Sequence, residues 1–395
     1  SAAEPSASSF RPCQGSAMLR EAAISCQRLE IKFRCAENMK ITEVEAFLLA
    51  TPLETPYVSS LGSLDRLTSA LVQVSLSDGA QGFSEVTPVR GYNEESIEEI
   101  WAAILCWAPR LVGRDAAQAF EQLHAASEQT PYACSAPAVA IELALAPASR
   151  GCRAGPRFIP LVAPVLSTGA EAIRQELSGL RNAGYRTLKA KAGMNLSRDH
   201  DRIACILEHL YETEKLRIDF NGACNAQDAI AFVSTLDAQR LEFVEQPCAA
   251  DDWDGNERVA CSIGVPTMLD ESIKSGRDVE RAGRSGAFRF VKMKLGKFPT
   301  LRSLQQAYAA AARDQMTGIL GNGAATDVAC AIEAAASQGQ AGIADEMNGF
   351  LKNTAQYLAS PLETADGAML LRPRSLDGLN RGALLAHAVG HVRFT

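Results

Sequence analysis

Residues 187–191 have the sequence Thr-Leu-Lys-Ala-Lys, a short apolar strand pattern that ends in a pair of lysines. Similar apolar segments occur on both sides of it, and most are separated by amphipathic helical patterns. The eight segments are 158–165, 187–191, 216–220, 243–245, 267–270, 290–294, 317–320 and 343–346. Repeated strand–helix units predict a parallel sheet covered by helices, and the count of eight favours a closed barrel over a doubly wound sheet. No Gly-x-Gly-x-x-Gly segment follows the first strand, which weakens the dinucleotide-binding alternative.

Carboxylates close three consecutive strands of this pattern. Asp219, Glu245 and Asp270 each follow an apolar segment. The carboxyl ends of barrel strands share one face, where active sites lie, so we expect the three side chains to form one arc. Oxygen ligands without an accompanying His or Cys cluster suit Mg²⁺, with Mn²⁺ as an alternative. A solvated strand end would be the simpler interpretation of any single carboxylate, but three in successive repeats favour a metal site.

Lysines lie on both sides of the expected arc. Lys189 and Lys191 are two residues apart and project to the same side of a strand, and Lys294 ends the sixth strand. Strands two and six face each other across an eight-stranded barrel, so a bound substrate would have a lysine on each face. A free lysine has a pKa of about 10.4, and we expect the charge of Lys189 to lower the pKa of Lys191. An exposed edge pair is the alternative, but it fits poorly beside Leu188 and Ala190.

A metal with paired bases suits removal of the proton on the carbon next to a carboxylate. That proton is weakly acidic, so the resulting enediolate needs a nearby cation. The sequence therefore predicts an enzyme that abstracts the α-proton of a small carboxylate.

Composition excludes several other classes. The chain of 395 residues has a net charge of −7, is 47% hydrophobic and lacks a basic cluster, which argues against nucleic acid as a partner. No apolar run approaches the roughly 18 residues that span a bilayer. The eleven cysteines are scattered without a Cys-x-x-Cys pair, so we expect reduced thiols and a cytoplasmic location. Residues 1–38 have no clear period, and we interpret them as an extension of uncertain order.

The segment after this extension predicts a small α+β unit. Alternation begins near Met39, a second alternating run covers 72–76, and Asp78-Gly79 is typical of a hairpin turn leading into 81–86. A helix is expected from about Glu94 to Val112, with Asn93 as its N-cap. Further helices reach about residue 145.

With these features in place, the chain resembles the enolase superfamily, specifically the muconate lactonizing enzyme subgroup. The resemblance covers about 41–372. It rests on the segments Leu188-Lys189-Ala190-Lys191, Asp219-Phe220-Asn221, Val244-Glu245-Gln246-Pro247, Asp270-Glu271-Ser272 and Val291-Lys292-Met293-Lys294-Leu295, with Gly82-Phe83-Ser84-Glu85 in the first unit.

The resemblance implies a modified (β/α)₇β TIM barrel with an N-terminal α+β capping domain. Its expected limits are 39–155 for the cap, 156–360 for the barrel and 361–395 for a tail that returns to the cap. It implies a Mg²⁺ site of Asp219, Glu245 and Asp270, an acid/base pair of Lys191 and Lys294, and Lys189 as the electrostatic neighbour of Lys191. We expect a homo-oligomer acting on a small-molecule carboxylate, without nucleic-acid or membrane partners.

Substrate recognition and reaction type stay open at this stage. The mandelate racemase branch places a catalytic His after strand seven, where this chain has Gly321-Asn322-Gly323, so that branch is disfavoured. Dipeptide epimerases carry Asp-x-Asp after strand eight to hold a substrate ammonium, and Met347 breaks that spacing. The candidate substrate-binding residues are Tyr57, Asn221, Asn322, Asp345 and Glu346.

A racemase or epimerase of an amino-acid derivative is our leading hypothesis, because a lysine is expected on each of two opposed strands. A dehydratase or a muconate-type cycloisomerase would use the same residues. A barrel without catalytic activity is the remote alternative.

Overall fold

The structure is a computed structural model that describes residues 39–59, 62–89, 94–146, 155–337 and 342–395. The extension 1–38, Asn93 and the side chains of residues 57–62 lie outside the described residues. The predicted domain limits remain a prediction.

Strands and helices alternate along most of this chain. The strands are β1 (Ile41–Ser59), β2 (Gly62–Leu76), β3 (Gln81–Val86), β4 (Arg157–Pro160), β5 (Val162–Pro164), β6 (Thr187–Lys191), β7 (Lys215–Asp219), β8 (Leu241–Glu245), β9 (Thr267–Leu269), β10 (Phe290–Met293), β11 (Thr317–Leu320), β12 (Glu363–Ala365), β13 (Ala368–Leu371) and β14 (Ala388–Phe394). The helices are α1 (Ile97–Leu111), α2 (Ala116–Ala126), α3 (Pro131–Leu145), α4 (Ala170–Asn182), α5 (Leu196–Glu208), α6 (Ala226–Ser234), α7 (Trp253–Ser262), α8 (Gly276–Ser285), α9 (Leu301–Arg313), α10 (Asp327–Ala336) and α11 (Arg381–His387). None of these described helices is both long and apolar enough to cross a bilayer.

The cap sheet is antiparallel, in the order β14-β1-β2-β3. Its β2–β3 hairpin confirms the turn predicted at Asp78-Gly79. Gly79 has a φ of +83°, a left-handed conformation that glycine adopts without steric cost. The N–H of Leu76 donates to the carbonyl of Ala80 at 2.8 Å and closes the turn.

The first cap helix begins later than predicted. Its N-cap is Ser96, whose hydroxyl accepts from the N–H of Glu99, while the Glu99 side chain accepts from the N–H of Ser96. This reciprocal capping box fixes the start of α1 at Ile97. The acidic run from Glu94 therefore precedes the helix and faces the barrel cavity described below.

Seven parallel strands form the barrel sheet, in the order β5-β6-β7-β8-β9-β10-β11, which confirms the predicted parallel barrel. The predicted eighth strand is here called the closing segment (residues 343–346), and it forms one isolated parallel bridge at Asp345. The N–H of Val162 donates to the Asp345 carbonyl at 2.9 Å, and the N–H of Glu346 donates to the carbonyl of Leu320 at 2.7 Å. The closing segment therefore joins β5 to β11 without extending into a regular ladder.

The predicted strand 158–165 is divided between two sheets. Its first part, β4, pairs antiparallel with β13 in a sheet of order β12-β13-β4, and its second part, β5, enters the barrel. Pro160 ends β4, and its lack of an N–H favours a break in the ladder at this point. Further along the tail, β14 pairs with β1 in the cap sheet.

Buried carboxylates of the cap bind the N-termini of two barrel helices. Glu142 lies on α3, which is buried from Ala133 onward, and accepts the N–H groups of Leu301 at 2.7 Å and Arg302 at 2.9 Å, at the start of α9. Glu85 accepts the N–H of Thr326 at 3.0 Å, at the start of α10. Helix N-termini carry unpaired N–H groups and partial positive charge, so these carboxylates fasten the cap to the barrel.

Glu142 predicts a measurable pH dependence of stability. Burial raises its pKa from 4.5 to about 7, against the lowering effect of its backbone hydrogen bonds. Between pH 4.5 and about pH 7, Glu142 is protonated in the folded chain but ionised in the unfolded chain. The free energy of unfolding therefore falls as the pH rises through this range. Chemical denaturation at pH 5 and pH 8 measures the drop in the free energy of unfolding between these pH values. In Glu142→Gln this drop should be smaller than in the wild type by about 2–3 kcal/mol. The exposed Glu128→Gln serves as the control, and an equal pH response in both variants would contradict this role.

Candidate active site

A cavity of about 1350 Å³ lies at the mouth of the barrel, beneath the cap. Its floor consists of side chains at the carboxyl ends of the barrel strands, including Lys191, Asp219 and Lys294. Its roof comes from the cap and includes Thr55 and Pro56 on β1. The topology thus places the sequence-predicted catalytic and metal-binding candidates at one end of the barrel.

The two lysines of β6 point into the barrel because of the alternation of the strand. Leu188 and Ala190 are buried and pack in the core against the outer helices, with Ile203 of α5 among their neighbours. Lys189 and Lys191, on the opposite face, both line the cavity. This excludes the alternative of an exposed edge pair.

The ammonium group of Lys189 bridges the carboxylates of neighbouring strands. Its Nζ lies 2.9 Å from Asp219 Oδ2, 2.7 Å from Glu245 Oε2 and 2.7 Å from Glu346 Oε1. Burial lowers the pKa of Lys189, but the charges of these carboxylates outweigh it and hold the pKa well above its usual value. Lys189 therefore stays protonated. Three carboxylates balance its positive charge, whereas we expected from the sequence that this charge would act mainly on Lys191.

A further buried lysine lies below this group. Lys292, on β10, has a fully buried side chain in ion-pair contact with Glu346, and its Nζ is 3.4 Å from Glu245 Oε1. Glu245 is also fully buried, contacts the Lys189 ammonium and is not among the residues that line the cavity. Burial and the charge of Asp219 raise the pKa of Glu245 to about 8.

The third carboxylate of the arc is held by two other lysines. Asp270 Oδ2 is 3.0 Å from Lys294 Nζ, and Asp270 Oδ1 is 2.6 Å from Lys297 Nζ. Burial raises the pKa of Asp270, but these cations outweigh it and hold the pKa well below the ordinary value. Burial lowers the pKa of Lys294, and the charges of Asp270 and Glu271 more than reverse this, so the pKa is raised. Lys294 is thus protonated as it stands.

Two residues with positive φ orient the arc. Asn221 (φ +46°) donates from its side chain to Asp219 Oδ2 at 3.2 Å and to Glu271 Oε1 at 3.0 Å. Gln246 (φ +38°) accepts the N–H of Asp270 at 2.9 Å. Non-glycine residues seldom adopt this backbone conformation, and strained positions of this kind are enriched at active sites.

The donor set at this site fits a divalent cation. Three carboxylates from adjacent strand ends supply the hard oxygens that Mg²⁺ prefers. The fully buried carboxylate of Glu245 has lysine ammonium groups as its partners, with Lys189 Nζ 2.7 Å from Oε2 and Lys292 Nζ 3.4 Å from Oε1. As the side chains stand, no three such groups among the described residues surround a common metal position. The ammonium of Lys189 lies between Asp219 and Glu245.

The candidate substrate contacts divide into two groups. Glu346 and Asn322 line the cavity, as does Asn221 of the arc. Asp345 does not line the cavity. Its carboxylate accepts the N–H of Leu320, on β11, at 2.8 Å and so links the closing segment to the barrel wall. The structure therefore places the Asp345 side chain in the barrel wall, and its predicted contact with substrate stays a prediction. The side chain of Tyr57 lies outside the described residues.

Some cavity residues were missed in the sequence. Asn348 lies two positions after Glu346, and both residues line the cavity. The two cavity-facing positions after the last barrel strand are therefore Glu346 and Asn348, and Asp345 is not one of them. Lys297 and Lys352 also line the cavity. Glu346 and Asn348 are two residues apart, and this i, i+2 spacing at the end of a strand could have predicted that both face the cavity. Nothing in the sequence marks Lys352 as a cavity residue.

Comparison with known families identifies the chain. Residues 41–149 match the family described as "Mandelate racemase / muconate lactonizing enzyme, N-terminal domain". Residues 172–378, more than half of the chain, match "Enolase C-terminal domain-like". The chain belongs to the enolase superfamily. It is an enzyme of that superfamily, as the resemblance implied.

Individual relatives show which activities occur among similar chains. This superfamily member is 26% identical over 286 residues to the N-succinyl-L-Arg/Lys racemase of Bacillus cereus, which covers 68% of this chain and 77% of that one. It is 28% identical to the chloromuconate cycloisomerase of Pseudomonas putida, over 60% of this chain and 68% of that one. The crystal structure of a dipeptide epimerase from Cytophaga hutchinsonii, complexed with Mg and D-Ala-L-Val, has a TM-score of 0.80 and 19% identity. It covers 90% of this chain and 100% of that one.

Proposed function

We propose that this chain is a Mg²⁺-dependent racemase or epimerase that acts on the α-carbon of an amino-acid derivative. The observation that carries the proposal is a pair of lysines on opposite walls of one cavity. Lys191 ends β6 and Lys294 follows β10, and these strands are four positions apart in the barrel sheet. A proton removed on one face by one lysine can be returned on the other face by its partner, which inverts the configuration.

Asp219, Glu245 and Asp270 would hold the metal ion. When bound, Mg²⁺ supplies positive charge beside the substrate carboxylate, where negative charge develops as the α-proton leaves, and it lowers the pKa of nearby groups. Asn221 and Gln246 keep the arc in place through their hydrogen bonds to Asp219 and Asp270.

Lys189 has a different role from Lys191 and Lys294. Three carboxylates hold its charge, so it stays protonated and adds fixed positive potential next to the substrate carboxylate. The two remaining lysines face each other and move the protons. The relative named above as a racemase supports the choice of racemisation as the reaction.

Proton exchange in heavy water tests the proposed reaction. The wild-type chain with Mg²⁺ should incorporate one deuterium at the α-carbon of a responsive N-substituted amino acid and convert either enantiomer into the mixture, as seen by ¹H NMR and chiral chromatography. Lys274→Ala should behave as wild type, because Lys274 is an exposed lysine of the same cavity that pairs with Glu94. Absence of exchange across N-acylated amino acids and dipeptides would contradict the proposal.

A cycloisomerase is the second candidate, supported by the relative from Pseudomonas putida. It would use the same arc and lysines, with one lysine mainly electrostatic. Product analysis separates the two reactions, since ring closure changes the carbon skeleton and racemisation does not. A dehydratase would instead release water.

We also propose a cytoplasmic setting and a small-molecule substrate. The cysteines within the described residues are free thiols, as a reducing compartment would keep them. The cavity is a concave space of about 1350 Å³ between cap and barrel, which suits a small ligand.

A further inference from the structure

Tyr132 brings an aromatic side chain from the cap to the β10 side of the barrel mouth. It is the second residue of α3, after Pro131, and its half-buried side chain lines the cavity. The N–H of Tyr132 donates to Glu95 Oε2 at 2.7 Å, and the N–H of Ala133 donates to Glu95 Oε1 at 2.9 Å. The carboxylate satisfies two N–H groups at the start of the helix and so fixes the backbone from which the ring extends.

The ring of Tyr132 packs on a glycine of the loop that follows β10. Gly296 is buried, and a Cβ atom at this position would lie 2.4 Å from Cε1, 2.5 Å from Cζ and 2.8 Å from the hydroxyl oxygen of Tyr132. Non-bonded carbon atoms prefer separations of about 3.5–4.0 Å, so any side chain here would displace the ring. The glycine therefore lets the ring lie against the segment that joins Lys294 to Lys297, and both lysines line the cavity.

The electrostatic environment of Lys294 includes the same phenol. Burial lowers the pKa of Lys294, while the charges of Asp270 and Glu271 and the phenol oxygen of Tyr132 raise it. The cap residue therefore lies within electrostatic range of a lysine that the proposed reaction uses. Its contact with Gly296 and its influence on Lys294 place it on the same wall of the cavity.

The wall that carries Lys191 is built differently. The loop after β6 packs against the next barrel loop, since a Cβ atom at Gly193 would lie 2.6 Å from the Cβ atom of Ala223. Met194, in the same loop, lines the cavity with an exposed side chain. An aromatic ring of the cap thus supports one wall, and barrel loops support the other. A change at Tyr132 should therefore affect the two faces of a bound substrate unequally.

We propose that Tyr132 is a positioning residue for Lys294, through which the cap controls proton transfer on the Lys294 face of the substrate. The ring acts as a side wall that restricts the Lys294 side chain and keeps its Nζ within reach of the α-carbon. The proposal rests on the proposed function, in which Lys294 and Lys191 act on opposite faces. Displacement of a reacting group by about 1 Å lowers a rate by up to about 100-fold, so the expected effect is large.

Initial rates of α-proton loss in heavy water, measured for each pure enantiomer, report the two lysines separately. The enantiomer that Lys191→Ala still exchanges is the one whose proton Lys294 removes. Tyr132→Ala should slow the exchange of this enantiomer by about 10- to 100-fold and leave the other close to wild type. Tyr132→Phe keeps the ring and should restore both rates. Met194→Ala, on the opposite wall, is the control and should leave the ratio of the two rates unchanged.

Gly296→Ala produces the same displacement with Tyr132 unaltered. Its methyl group occupies the space of the ring, so this variant should show the same loss for one enantiomer. In the double variant Gly296→Ala/Tyr132→Ala the methyl group has room, and the loss should be no larger than in Tyr132→Ala alone. An equal loss for both enantiomers in Tyr132→Ala, an unchanged ratio, or additive losses in the double variant would overturn the proposal.

Chemical labelling keeps this test separate from the proposed reaction. Each chain is treated with a limiting amount of an acetylating reagent, and the modification of Lys294 is compared with that of the exposed Lys274 by peptide mass spectrometry. Tyr132→Ala should increase the relative labelling of Lys294, because the ring no longer restricts access to it, and Met194→Ala should not.

The two readouts distinguish the two claims. If the wild-type chain exchanges neither enantiomer, the proposed function fails, yet an increase in Lys294 labelling confined to Tyr132→Ala still supports the contact between Tyr132 and Lys294. If the wild-type chain exchanges both enantiomers but Tyr132→Ala changes neither their ratio nor the labelling, the role of Tyr132 fails and the proposed function stands.

Discussion

Replacement of Lys191 or Lys294 by alanine is expected to lower the rate of racemisation by about 10²- to 10⁴-fold, the usual contribution of a positioned acid or base. The two lysines line opposite walls of the cavity, so inversion of the α-carbon needs both of them. Loss of either one leaves proton transfer on one face only. Chiral chromatography of the products over time measures the effect.

Two comparisons exclude a trivial cause for this loss. Lys274→Ala lies in the same cavity and should leave the rate within a few-fold of wild type. Circular dichroism and thermal midpoints should show that Lys191→Ala and Lys294→Ala remain folded. A racemisation rate close to wild type in either lysine variant would contradict the paired mechanism.

Removal of an arc carboxylate is expected to weaken Mg²⁺ binding by about 100-fold or more, since even residues behind the ligands contribute 10- to 100-fold. Asp219→Asn is the cleanest change, because the amide keeps nearly the shape of the side chain. Lys189 and the side chain of Asn221 both donate to Oδ2 and can still donate to the amide oxygen, whereas the N–H of Asn221, which donates to Oδ1 at 3.0 Å, loses its acceptor. Isothermal titration calorimetry of the purified chain with MgCl₂ measures the effect without any substrate.

Glu128→Gln provides the matched control for the metal titration. Glu128 is an exposed carboxylate of the cavity rim, so it carries the same charge but lies apart from the arc. Its variant should bind Mg²⁺ as wild type does. No binding by the wild-type chain, or equal binding by Asp219→Asn, would favour a barrel without metal-dependent catalysis.

The parallel barrel was predictable because it depends on local patterns. Each short apolar segment and each amphipathic helix can be read from about ten residues of sequence. The closing segment was not predictable in detail, because its partners are distant in the chain. Asp345 uses its side chain to accept the N–H of Leu320, so a residue that resembles a site ligand in sequence serves the wall instead.

The site was only partly predictable for a related reason. The spacing of Asp219, Glu245 and Asp270 placed them at one barrel face, as the structure shows. The distribution of charge among them depends on three-dimensional contacts. Lys189 was expected to act on its sequence neighbour Lys191, but its ammonium is held by carboxylates of other strands.

Lys292 and Lys352 show the limit of motif reasoning. Lys292 is part of the segment that marks β10, yet its full burial against Glu346 follows only from the curvature of the barrel. Lys352 belongs to no motif, and its place in the cavity is set by the 3₁₀ turn Gly349–Lys352 that follows the closing segment.

Enantiomer-resolved exchange in the two lysine variants tests the central claim most directly. Each pure enantiomer of a responsive substrate is incubated in heavy water with Lys191→Ala or Lys294→Ala, and deuterium at the α-carbon is followed by NMR. Each variant is predicted to exchange the proton of one enantiomer with retention of configuration, and the two variants should select opposite enantiomers. Full exchange of both enantiomers by both variants would contradict the claim that Lys191 and Lys294 work on opposite faces of the substrate.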